Sequence, residues 1–377
     1  MSNIFELHDV TFSHNPSTAP PVLEDFNLSI EEGAHTAILG ANGAGKTTLF
    51  YTLTGVYKPQ KGEVLFNGEP LQYTREGLQR IRADASVVLQ NPDEQIFCSL
   101  VEEDIAFGPL NLDLPMDEVE IRVEKALRDV RMLEYRKRPL QQLSGGQRKR
   151  VAIAGALAMK PKVMIMDEPT AGLDPQASME VMELAEKLNL QGVTVLISTH
   201  DLDLIYKWAD RSSVLRRGKV AFDGDTDELY SDVSRVYSCG LLRPSIYNMN
   251  MQISAIKGVD PAPFPRNCSE FTAKFSGSKR SGRMLCIPCT EEEAAQKYDE
   301  TMADCKATTA IYGPDTRHAL SEKDVKIAFN GLDICMTKAI KGEDTVLFYD
   351  PIYTPLIDKM AARIRTFGFD IDLEVSE

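Results

Sequence analysis

No uninterrupted apolar run in this 377-residue chain approaches the ~18 residues that cross a bilayer. The longest candidate, residues 151–166, is broken by Lys160, Pro161 and Lys162. The N-terminus carries Glu6 and Asp9 and no basic-then-apolar order, so no secretory signal is expected. Positive charge is also short. Lys and Arg number 42 against 56 Asp and Glu, a formal net charge of -14. A nucleic-acid partner calls for a basic face, and that class is therefore not expected. No internal repeat or low-complexity tract is present. At this length two domains are the natural expectation. The chain should be cytosolic, and any membrane path should belong to another polypeptide.

What is present begins with Gly40-Ala41-Asn42-Gly43-Ala44-Gly45-Lys46-Thr47-Thr48. The string fits the phosphate-binding loop G-x-x-x-x-G-K-[ST], between an apolar strand (35–39) and a helix start at Thr47. Glycines let the backbone wrap an anion with its N–H groups pointing inward. Lys46 can reach the outer phosphates and the Thr47 hydroxyl can ligate magnesium. The following helix adds its positive N-terminal end. A second apolar run, 163–166, ends in Asp167 and Glu168 and reads as a buried parallel strand. Open α/β sheets bind ligands at such strand ends. Asp167 then stands near magnesium and Glu168 orients or deprotonates the attacking water. One of these acids could instead cap the helix after Pro169. Leu143-Ser144-Gly145-Gly146-Gln147 reads as a serine N-cap before a good helix former, 148–158, and so as an anion site in its own right. Gln90 ends a β-branched strand (86–89), and His200 follows another (193–198).

In this order the strings resemble an ATP-binding cassette, over roughly residues 3–240. The resemblance implies an ABC-type P-loop NTPase fold of the α/β class. It makes Ser144, Gly146 and Gln147 part of the ABC signature, Gln90 the Q-loop glutamine and His200 the switch histidine. Ala171-Gly172-Leu173-Asp174 becomes the D-loop. Gln90 through Phe97, then Val101 through Pro109, are similar to the ATPases of energy-coupling-factor importers, the cobalt and nickel CbiO-like group and the vitamin importers. One departure stands out. The family's adenine-stacking aromatic ends a string like V-S-F-S-Y, and here Val10-Thr11-Phe12-Ser13-His14 puts His14 at that position. An imidazole stacks less extensively, and Phe12 is expected in the core.

The resemblance further implies that ATP and Mg2+ are held by Gly40, Asn42, Gly43, Gly45, Lys46, Thr47 and Thr48, with Thr47, Gln90 and Asp167 on the metal. Glu168, His200 and Gln90 carry the chemistry. Ser144, Gly146, Gln147 and Asp174 complete the site of a second cassette. The partner is a second copy or a paralogous ATPase. Integral-membrane coupling and substrate-binding subunits would place the chain at the cytoplasmic face of the membrane. Cobalt, or nickel, is the favoured cargo, with a vitamin as the alternative. A DNA-repair ATPase would need coiled-coil or zinc insertions, and a translation factor two cassettes; neither is seen.

Residues 241–268 carry Pro244, Pro261, Pro263 and Pro265, which predicts a linker with few crossing contacts. Residues 269–377 alternate as strand 284–287, helix 291–305, strands 308–312 and 325–329, helix 332–340, strand 345–349, helix 351–367 and strand 370–375. A second, smaller α/β domain, possibly regulatory and able to fold alone, is expected. Its Cys286-Ile287-Pro288-Cys289 is either a metal or redox site, or a pair of buried side chains in a reducing compartment. Gly313 through Arg317 could hold a ligand or simply join a strand to a helix.

Overall fold

Strands β3 (His35–Leu39), β7 (Val163–Asp167) and β8 (Thr194–Ser198) are buried along their whole length. Continuous apolar strands of this kind need cover on both faces, as in parallel α/β sheets. They are joined by β6 (Ala85–Val88), β9 (Arg211–Arg216) and β10 (Lys219–Asp225). The order is β10-β9-β3-β8-β7-β6, with only the β9–β10 pair antiparallel. A second sheet, β2-β1-β4-β5, is antiparallel, built from β1 (Asn3–Phe12), β2 (Leu23–Glu31), β4 (Lys61–Phe66) and β5 (Glu69–Pro70). Phe12 is buried and stacked on Tyr57 at 4.7 Å, as a core residue. The computed structural model describes every residue except Met1, Thr18, Ser278, Lys279, Asp304 and Glu377. Its two units are residues 1–178 with 191–242, and residues 179–190 with 243–377.

The helical stretch after Leu100 breaks where Pro115 caps the helix Met116–Asp129. The preceding helix, Val101–Leu110, ends one residue after Pro109. So near the terminus little helix remains to be disrupted. Buried Asp104 accepts from the backbone N–H groups of Phe97 and Cys98 at 2.8 and 3.0 Å, fixing the chain that leads from Gln90 into this helix.

The second unit holds a four-stranded parallel sheet in the order β12-β13-β11-β14. Its strands are β11 (Arg283–Pro288), β12 (Thr308–Tyr312), β13 (Thr345–Tyr349) and β14 (Asp372–Val375). Residues 325–329 are not a strand. Only Ile327 pairs, in an isolated bridge to Ala310, and Asn330 then turns into the left-handed region at φ 53°. The helix expected over 291–305 is shorter, Ala294–Met302, and a short helix Pro314–Ala319 follows β12.

Two sequence expectations for this unit need correcting. Residues 241–268 are not a bare linker: Pro244 caps the helix Ser245–Lys257, and Asn250 donates to Pro261 O at 2.8 Å. Nor is the unit confined to 269–377. Arg317 makes a two-pronged bond to Glu183 at 2.7 and 2.9 Å, with both side chains buried. Tyr353 donates to Glu183 O at 3.1 Å and Lys187 pairs with Asp315 at 2.9 Å. Glu183 and Lys187 belong to the 179–190 segment of this unit. A fragment cut at residue 269 would leave Arg317 buried without its carboxylate, at a cost of about 3–5 kcal/mol.

The cysteines resolve by alternation along β11. Cys286 lies with Met284, Leu347 and Tyr349 on one face of the sheet, and Cys289 with Ile287, Val346 and Phe348 on the other. One ion cannot be shared across a sheet. Burial pushes the thiols up to about 12 and about 11, which disfavours a reactive free thiolate. Among the described residues no group of three or more His, Cys, Asp or Glu could hold a metal ion.

Candidate nucleotide site

The phosphate loop leaves β3 at Gly40, whose φ is 145° and whose added Cβ would meet Leu215 O at 2.4 Å. Only glycine fits that close approach. Gly45, at φ 105°, turns the chain into the helix Lys46–Leu53. The Lys46 ammonium donates to Gly40 O at 2.7 Å and Ala41 O at 3.3 Å, which holds it over the loop. Burial lowers its pKa, against the opposing pull of Glu168 and Asp167.

At the end of β7, Asp167 receives two hydroxyls. Thr47 Oγ1 donates to one carboxylate oxygen at 2.6 Å and Ser198 Oγ to the other. Glu168 follows in the left-handed region at φ 48°, a strained place for a long side chain. Its N–H donates to Ser198 O at 2.9 Å, and its carbonyl accepts from Ala171 N–H at 3.1 Å. Its carboxylate Oε1 is buried without a hydrogen-bond partner among the described residues, 3.1 Å from His200 Nε2. His200 Nε2 also lies 2.7 Å from Asn42 Oδ1, tying the end of β8 to the phosphate loop.

These groups border a cavity of about 390 Å³. Asn42, Gly43, Gly45, Lys46, Thr47, Thr48, Gln90, Asp167 and Glu168 line it, and so does His14, whose ring stands edge-on to Phe12 and Tyr57. Gly40 lies beneath the loop as an acceptor for Lys46. Ser144, Gly146, Gln147 and Asp174 do not line it. Ser144 and Gln147 instead make a reciprocal capping box at the start of the helix Gly145–Ala158. Gln147 N–H reaches Ser144 Oγ at 3.3 Å, and Ser144 N–H reaches Gln147 Oε1 at 2.9 Å. Asp174 caps the helix Pro175–Leu190 through Ala177 N–H at 2.9 Å.

Sequence reasoning missed two residues here. Ser198 is the second holder of Asp167, and its only signal is its place at a strand end beside that acid. Lys149 is 1 % exposed, and its ammonium bonds carbonyls next to the cavity. A lysine on the buried face of the helix Gly145–Ala158, among Ala152, Ile153 and Ala156, was the available signal.

The ABC transporter family profile matches residues 23–171. An energy-coupling factor transporter ATP-binding protein of Methanocaldococcus jannaschii is 46% identical over 246 residues, 65% of this chain and 88% of that protein. One of Methanothermobacter thermautotrophicus is 44% identical over 241 residues, 64% of this chain and 77% of its own length. Among solved structures, a CbiO protein of Clostridium perfringens, part of the ABC transporter complex CbiONQ, aligns with a TM-score of 0.57 and 37% identity. That match covers 68% of this chain and 98% of the CbiO chain. A dimeric post-hydrolysis ATP-binding cassette with ADP and phosphate bound aligns with a TM-score of 0.55 and 29% identity, over 59% of this chain and 98% of that one.

Proposed function

This chain belongs to the ABC ATPases of the energy-coupling-factor type, and from that premise we propose that it powers uptake of a transition-metal ion through separate membrane subunits. As a transporter ATP-binding subunit it binds and hydrolyses ATP. The observation that carries the mechanistic reading is the buried Glu168 Oε1, without a hydrogen-bond partner among the described residues and at the rim of a phosphate-loop cavity.

In this reading Lys46 and the loop N–H groups hold the outer phosphates. Thr47, Gln90 and Asp167 form a hard oxygen donor set of the kind magnesium prefers. They would hold that ion, which supplies charge neutralisation along the phosphates. Glu168 accepts the proton of the attacking water, and His200, paired with Asn42 and 3.1 Å from the Glu168 carboxylate, reports the γ-phosphate. His14 lies under the adenine. Ser144 and the N-terminal end of its helix act on the ATP of a second chain, since they lie outside their own chain's cavity. Dimeric solved cassettes support the pairing. Two copies related by a two-fold axis would form two equivalent sites; a paralogous ATPase is the alternative partner.

The membrane partner would meet the region from Gln90 to Phe97. Phe97 and Phe107 are both exposed there, with ring centres 4.6 Å apart. No helix of the described residues is long and apolar enough to cross a membrane. A peripheral position on the cytoplasmic face fits such a subunit. The sequence resemblance to the CbiO-like group favours cobalt, with nickel next and a vitamin as the alternative. The second unit, residues 179–190 with 243–377, is read as a regulatory addition.

Pairing in trans is tested by mixing two defective chains. Ser144→Arg and Lys46→Ala should each be nearly inactive alone. At equal amounts, heterodimers carry one intact site, and about a quarter of wild-type activity should return. No recovery, with mixed dimers shown to form, contradicts the sandwich. Cargo is tested by reconstituting the chain with its membrane partners in vesicles. ATP-dependent cobalt accumulation, lost on Glu168→Gln, is expected. Vitamin uptake without metal uptake would replace the cobalt reading.

A further inference from the structure

Lys149 is assigned no part in the proposed mechanism, yet its surroundings are unusual for a lysine. An ammonium has three N–H donors and no acceptor. Here it meets three main-chain carbonyls: Leu89 O at 2.8 Å, Gln90 O at 2.9 Å and Glu168 O at 3.3 Å. Two acceptors lie at the Q-loop and the third is the carbonyl of the residue read as the general base. Lys149 itself stands five residues after Ser144 on the helix that carries the signature. One side chain therefore ties together three elements that must act in concert.

We propose that Lys149 is a positioning residue that holds the backbone of Gln90 and Glu168 in register with the signature helix. The backbone at Glu168 shows why a tie is needed there. A non-glycine residue at φ 48° is strained and persists only where its neighbours over-determine it. The Glu168 carbonyl is held from two sides, by Ala171 N–H and by Lys149 Nζ. Remove the ammonium and one hold is lost, as are both bonds to the Q-loop. The Glu168 carboxylate can then swing off line from the attacking water without any change in the groups that bind phosphate. Burial of the ammonium is costly in itself and lowers its pKa to about 8, with Asp167 and Glu168 pulling the other way. A residue kept there only for packing would do better as an apolar side chain of the same length.

That contrast supplies the test, on the full-length chain. Lys149→Met keeps length and removes every donor, whereas Lys149→Gln restores two N–H groups without charge. The expected result for Lys149→Met is a fall in kcat of about tenfold or more, since small misplacements of a reacting group cost that much. KM for ATP should stay within about twofold, because uniform binding is untouched. Lys149→Gln should recover part of the lost kcat. Wild-type kcat in folded Lys149→Met overturns the proposal, and so does a rise in KM with kcat unchanged or a glutamine variant no better than the methionine one. Should Lys149→Met fail to fold, Lys149→Gln carries the test alone: lowered kcat with unchanged KM supports the proposal, wild-type kcat overturns it. The proposal rests on Glu168 as the base, so Glu168→Gln is assayed beside it. If Glu168→Gln still turns over, the base assignment fails. If it is inactive while Lys149→Met is normal, only the role of Lys149 fails.

Discussion

Glu168→Gln is expected to lower ATP turnover by roughly 10²–10⁴-fold while leaving ATP affinity nearly unchanged. The amide matches the carboxylate in shape and tolerates the same left-handed backbone, so the fold should not suffer. What it loses is the ability to take a proton. In the native site Glu168 Oε1 is buried and has no hydrogen-bond partner among the described residues, and His200 Nε2 lies 3.1 Å away. A carboxylate oxygen in that position is available to a water molecule at the cavity edge. The phosphate loop is separate in sequence and keeps its own contacts, so binding should persist. Phosphate release and equilibrium nucleotide binding, measured on the same preparation, check both halves. Wild-type turnover in the mutant would remove Glu168 from the chemistry.

Lys46→Ala should act in the opposite sense, weakening ATP binding by about 10- to 150-fold, the worth of a hydrogen bond to a charged group. Lys46 is the buried cation of the cavity wall, held by Gly40 O and Ala41 O over the loop. Its loss removes positive charge where the outer phosphates would lie. It also removes an ammonium that burial already disfavours, so the cost to folding should be small beside the cost to binding. Titration calorimetry reads the affinity directly, and an unchanged dissociation constant would sink the assignment.

The parts of this site that were legible in the sequence are those written locally. Gly40 through Thr48 occupy one loop, and the fit of a strand before and a helix after needs no distant partner. The same holds for Asp167 and Glu168 at a strand end and for the Ser144 cap. Lys149 was legible only as a lysine on an apolar helix face; what it does was not, because its acceptors are 60, 59 and 19 residues away. A lysine in a helix reads as a solvated residue until its carbonyls are known. Ser198 was missed for the same reason, since its partner Asp167 lies 31 residues away. Glu183 reads as one more surface charge on a helix, and its burial against Arg317 depends on a segment 134 residues later. The facing of the cysteine pair was legible in its spacing. Positions 286 and 289 differ by an odd number, and along an extended chain odd spacings face opposite sides of a sheet.

Oligomeric mass in the presence of nucleotide tests the central claim most directly. If two chains close on ATP through Ser144 and the phosphate loop, hydrolysis-blocked Glu168→Gln should accumulate closed. Light scattering of this variant with saturating Mg-ATP should then give about twice the 41.9 kDa of one chain. Adding Ser144→Arg to the same chain should return the mass toward the monomer while ATP stays bound. A Glu168→Gln protein that binds ATP and remains at 41.9 kDa would contradict the account.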